Sequence, residues 1–174
     1  AFAQVNGAGT VSLGGSIVTT ADAISFAAPV TLTEGVELEA GGVGASITFS
    51  STVDGTTAYT EDLDLVAGIG DILFNGAVGS NTALRDIAIA SANNVTFSST
   101  VDAESIYQAA GTGTTLFSGD VNLTGLSDFL TGLYVSTNVI TVNANITTLN
   151  NGEVVLDNAG VLTLANGVAI NSDG

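Results

Sequence analysis

The sequence predicts an all-β fold, a parallel β-solenoid of about 7–8 coils with ~22 residues in each and a ladder of Phe side chains inside. Three observations lead there. The octapeptide Ile47-Thr48-Phe49-Ser50-Ser51-Thr52-Val53-Asp54 returns 48 residues later as Val95-Thr96-Phe97-Ser98-Ser99-Thr100-Val101-Asp102, with a weaker copy, Ile72-Leu73-Phe74-Asn75-Gly76-Ala77-Val78-Gly79, between them. Apolar residues alternate with period 2 in short runs bounded by Gly, Asn, Asp and Ser, which is the signal of strands joined by turns. Helical periodicity is confined to Leu126, Phe129, Leu130 and Leu133, enough for a turn or two within one coil.

Taken from the amino terminus, the repeat has the form aliphatic-x-Phe-x-x-x-Val. Val11/Leu13/Ile17 opens it with Leu in the Phe place, and Ile24/Phe26/Val30, Ile47/Phe49/Val53, Ile72/Phe74/Val78 and Val95/Phe97/Val101 carry the full pattern. Thr115/Phe117/Val121 continues it, and Ile140/Val142/Ile146 and Leu162/Leu164/Val168 close it with aliphatic replacements. At the third position the intervals are 13, 23, 25, 23, 20, 25 and 22 residues. A second alternation follows in most units: Val36-Glu37-Leu38, Leu63-Asp64-Leu65, Ile87-Ala88-Ile89, Leu133-Tyr134-Val135 and Val154-Val155-Leu156. Stacking such units about 4.8 Å apart lines up equivalent residues, so Phe26, Phe49, Phe74, Phe97 and Phe117 should form one internal column. A β-sandwich also tolerates periodic Phe, but it gives no reason for an octapeptide to recur with a weaker copy midway. The coil is expected to be right-handed.

Composition narrows the function. The 174 residues, of 17.1 kDa and mean hydropathy +0.51, suit a single domain spanning 1–174. Polar residues or glycine interrupt every apolar run before the roughly 18 residues of a membrane-spanning helix, so none is expected. Seventeen Asp and Glu face one basic residue, Arg85, for a net charge of −16. Phosphate neutralisation needs Lys or Arg in number, which excludes a nucleic-acid role and binding to an anionic membrane surface. With no His, Cys or Lys, the usual general base, thiol nucleophile, Schiff-base amine and nitrogen or sulfur metal ligands are missing, and no enzyme activity is expected. The absence of Met and the start at Ala1-Phe2-Ala3-Gln4 fit a mature secreted chain or an excised segment, and an extracellular location is expected.

The ITFSSTVD and VTFSSTVD units, ILFNGAVG and the Gly-, Asn- and Thr-rich turns resemble the repetitive β-helical stalks of filamentous-haemagglutinin and autotransporter-like bacterial surface proteins, over nearly the whole chain. The resemblance implies an extracellular stalk or fibre. That family's amino-terminal secretion module and carboxy-terminal barrel have no counterpart among these residues, so a free subunit or a segment of a longer chain is expected.

Glu37, Glu39, Asp62, Asp64 and Asp86 recur at nearly one place in three consecutive coils. Pleat alternation puts them outside in adjacent rows, where like charges repel by about 1 kcal/mol per pair. Arg85 can balance Glu61 or Asp62. Ca²⁺, which takes oxygen ligands alone, can balance several, whereas the plain alternative is a solvated acidic face. Gly68-Ile69-Gly70-Asp71-Ile72 is similar to one calcium-binding nonapeptide without its tandem neighbour, and reads as a turn. Thr31-Leu32-Thr33 and Thr112-Gly113-Thr114 do not repeat in register, as ice binding requires. The expected function is therefore a self-assembling filament subunit of a microbial surface or matrix, joined head to tail through its apolar ends at Val11, Leu13, Leu162, Leu164 and Val168. The alternative is an adhesin segment that binds a glycan, although Tyr59, Tyr107 and Tyr134, with no Trp, supply few stacking platforms.

Overall fold

The computed structural model describes residues 1–5, 9–126 and 131–173. It is a parallel β-solenoid of about seven coils with ~23 residues per coil, and all strand pairing is parallel. Its described residues contain no helix. Each coil has three short faces joined by turns, so strands within the stack pair with the strand one coil earlier and the strand one coil later.

The first face stacks eight strands in chain order: Phe2–Gln4, Ile24–Phe26, Ile47–Phe49, Ile72–Phe74, Val95–Phe97, Thr114–Phe117, Val139–Val142 and Leu162–Leu164. Strand register makes Phe26, Phe49, Phe74, Phe97 and Phe117 direct neighbours. Their rings stack face to face with centroids 5.4, 5.0, 4.8 and 5.3 Å apart and planes within 8°. All five are buried, so the column fills the interior rather than decorating the surface. Val142 and Leu164 extend it. Leu13 does not. The position before Phe26 is held by Gln4, 22 residues earlier, whose Oε1 accepts hydrogen bonds from the Ala27 and Ala28 N–H groups. Val11 and Leu13 pair with Val30 and Leu32 on the second face, because a Val-x-Leu alternation looks the same on any face.

The second face has a β-branched column in which Val11, Val30, Val53, Val78, Val101, Val121, Ile146 and Ile170 follow one another. Val168, expected to close the series, sits in the turn before it, with its N–H bonded to the Ala165 carbonyl. The third face carries two inward columns. One is Val36, Leu63, Ile87, Ile106, Leu133 and Val154; the other is Ile17, Leu38, Leu65, Ile89, Gln108, Val135 and Leu156. Two strands, Leu84–Ser91 and Val101–Gln108, run unbroken around the corner from the second face to the third.

The corners are held by short polar side chains that pass hydrogen bonds from coil to coil. Ser46 Oγ accepts the Asp71 N–H at 3.1 Å, Asp71 Oδ1 accepts the Asn94 N–H at 3.0 Å, and Asn94 Oδ1 accepts the Thr114 N–H at 2.8 Å. Asp120 and Asn145 repeat the device towards Ala169. Backbone groups that the turns leave without ladder partners are thereby satisfied. Close coil spacing also dictates glycine: a Cβ at Gly70 would lie 1.9 Å from the Ala45 carbonyl oxygen. The expected helical turn falls mostly on residues 127–130, outside the described residues, and Leu133 begins a strand.

Candidate functional site

The outer surface of the third face gathers most of the carboxylates that sequence reasoning singled out, and strand register decides which of them meet. Glu37 pairs with Asp64, so these two carboxylates are neighbours on adjacent coils. Asp62 belongs to the next column along. Its Oδ1 accepts the Arg85 Nε–H at 2.7 Å and its Oδ2 accepts from Arg85 Nη2, a two-pronged ion pair between coils. The Asp86 N–H adds a bond to Asp62 Oδ1 at 3.3 Å. Asp86 itself is not in an outer row as expected: it is buried, accepts from Ser105 Oγ at 2.6 Å and lies 3.7 Å from Arg85 Nε. The reason is the corner within Leu84–Ser91, where the turn between faces breaks the in-out alternation and leaves Asp86 and Ile87 both inside. Glu39 stands apart, between Val18 and Val66.

The five carboxylates thus divide into an adjacent pair, two residues around Arg85, and one alone. Among the described residues, no group of three or more Asp or Glu converges as a metal ion would require. Glu37 and Asp64 make no ion pair within the described residues. Partial burial, reinforced by the charges of Asp62, Glu37 and Asp86 and opposed by Arg85, holds the Asp64 carboxyl above the ordinary carboxylate range.

Following the Glu37–Asp64 column along the stack reveals a feature that sequence reasoning missed. The next residues are Ala88, Tyr107 and Tyr134. The two Tyr rings stack with centroids 5.0 Å apart and planes 19° from parallel. Ala88 therefore leaves a gap between the carboxylates and the aromatic pair. Val66, Ala90 and Ala109 widen it, helped by the register shift at Ile89/Ser91. The result is an open groove of about 410 Å³ with carboxylates at one end, Tyr107 at the other and methyl groups on its floor. The signal for it was present as Tyr107 and Tyr134, but the pairing depends on a coil boundary that only the register reveals.

At the ends of the rod, Phe2, Leu162 and Leu164 are 36%, 42% and 47% exposed, and Val11, Leu13 and Val168 are half-buried. Compared with known proteins, the chain matches no family model, no curated sequence and no solved structure. No helix of the described residues is long and apolar enough to cross a membrane.

Proposed function

We propose that the protein is a structural rod of an extracellular fibre, a solenoid subunit that adds further copies of itself end to end. One observation carries this reading: the interior columns stay in register up to the outermost described strands, Phe2–Gln4 and Leu162–Leu164, which still present Phe2, Leu162 and Leu164 with Gln4 as the polar exception, and among the described residues each of these strands has one backbone edge without a partner strand. A parallel edge of this kind is a template for another strand. Apolar residues at both ends add a driving force for joining them, while the carboxylates on the sides oppose lateral clumping. A join between unlike ends does not close on itself, so it generates a filament.

Sedimentation velocity and negative-stain imaging of the full chain test this. Filaments should lengthen with protein concentration, and Leu162→Lys combined with Leu164→Lys should leave monomers with an unchanged circular dichroism spectrum, because two charges at one end oppose strand addition. A monodisperse monomer at high concentration overturns the reading.

A further inference from the structure

The groove on the third face is independent of the rod's ends, and its chemistry selects a ligand. A hard cation such as Ca²⁺ takes six to eight oxygen ligands. Here the two carboxylates of Glu37 and Asp64 are followed by Ala88, Ala90, Ala109 and Val66, which offer no side-chain oxygen. What fits is a cation on an apolar stem. Strand neighbours stand about 5 Å apart, so a compact ammonium can sit between both carboxylates at once while a chain of methylenes lies along the alanine floor towards Tyr107. We propose that this groove binds a lysine side chain of a partner protein. The partner is not a second copy, since this chain contains no Lys. Charge complementarity with a chain of net charge −16 would bring a basic partner to this surface, and the carboxylate pair, unmatched by any ion pair among the described residues, gives the lysine its specific seat.

Titration of the full-length chain with a short lysine-containing peptide, followed by NMR shifts or calorimetry, tests the assignment. Binding should saturate, disappear when the lysine is acetylated, and weaken about tenfold in Asp64→Asn, where one of two charge contacts is gone. Ala88→Leu, whose side chain fills the groove from an outward position, should abolish binding without changing the circular dichroism spectrum. Glu153→Gln, an exposed carboxylate elsewhere on the rod, should leave it unchanged. Retention of binding in Ala88→Leu, or equal weakening in Glu153→Gln, reduces the effect to general attraction by a polyanion and overturns the proposal. Tighter binding of spermidine, of Ca²⁺ or of a neutral disaccharide than of the peptide overturns it in favour of that ligand.

Discussion

The first and third faces of the rod obey the same geometry and use it differently. On the first face a single residue type is repeated, and five Phe rings stack with successive centroids no more than 5.4 Å apart. On the third face the equivalent inward column passes from Ile89 to Gln108 to Val135, the outward column passes from Asp64 to Ala88 to Tyr107, and one strand carries a register shift. Backbone hydrogen bonding sets the coil spacing on both. The difference teaches that the ladder of identical residues supplies stability, while the departures from it on the third face make that surface differ chemically from coil to coil. Changes on the first face should therefore cost the most.

Phe74 lies at the middle of the column, with Phe49 and Phe97 at 5.0 and 4.8 Å. Its truncation removes an aromatic side chain from the interior and opens a cavity that the neighbouring coils, held at strand spacing, cannot close. Phe74→Ala should destabilise by about 3–5 kcal/mol. Phe2 is partly exposed and meets Phe26 at a 52° tilt, so Phe2→Ala should cost less than about 1.5 kcal/mol. Urea titrations of the two variants check the contrast, and equal midpoints would mean that the column is not what holds the coils together.

The same contrast governs what was legible in the sequence. The Phe column was, because identical residues one coil apart survive as a visible period and because only a stacked coil brings Phe26 and Phe117 into one row. Its first member was misread, since Val11-Ser12-Leu13 alternates as Ile24-Ser25-Phe26 does, although the two lie on different faces. The five stretches of the third-face alternation seen in the sequence were read correctly, at Val36–Leu38, Leu63–Leu65, Ile87–Ile89, Leu133–Val135 and Val154–Leu156. Ile106-Tyr107-Gln108 was not, because glutamine hides an inward position. The Arg85–Asp62 pair was foreseen as one of two options from coil spacing and charge alone. Asp86 was misplaced because a strand that turns a corner loses its parity, and nothing local in Leu84–Ser91 announces the corner.

Gln108 offers the next way to sharpen the comparison. It is buried in an otherwise aliphatic column, where its Oε1 accepts from the buried Thr115 Oγ1 at 2.8 Å and its Nε2 finds no partner among the described residues. Removing one partner strands the other in the interior, so Gln108→Leu or Thr115→Val alone should be worse than expected from shape, by about 1–3 kcal/mol. Replacing both turns this stretch of the third face and its neighbour on the first into continuous apolar columns, and should recover most of that loss. A double-mutant cycle in urea measures the coupling. Additive losses would show that the Thr115–Gln108 bond contributes nothing of its own.

Asp64 carries the smallest effect, and its sign is the informative part. In the folded chain, burial comes first and the neighbouring charges of Asp62, Glu37 and Asp86 second in raising its pKa above the ordinary 3.8, against the pull of Arg85. A raised carboxyl pKa means that the native state binds a proton more readily than the unfolded chain does. Stability therefore rises as pH falls through the raised value, levels off near the ordinary one, and is diminished at neutral pH, where both states are ionised and only the native state holds the charges together. Asp64→Asn removes that penalty. Because Asp64 is only partly buried and its charge is screened by the solvent it still meets, the gain at neutral pH should be about 0.5 kcal/mol or less. It should shrink towards zero at about pH 3, where the wild-type carboxyl is protonated in both states. Added salt should shrink it too, by screening the Asp62, Glu37 and Asp86 charges. Urea midpoints of the two proteins at both pH values test this, and an Asn variant less stable than the wild type at neutral pH would mean that the Asp64 charge is satisfied by its surroundings rather than opposed by them.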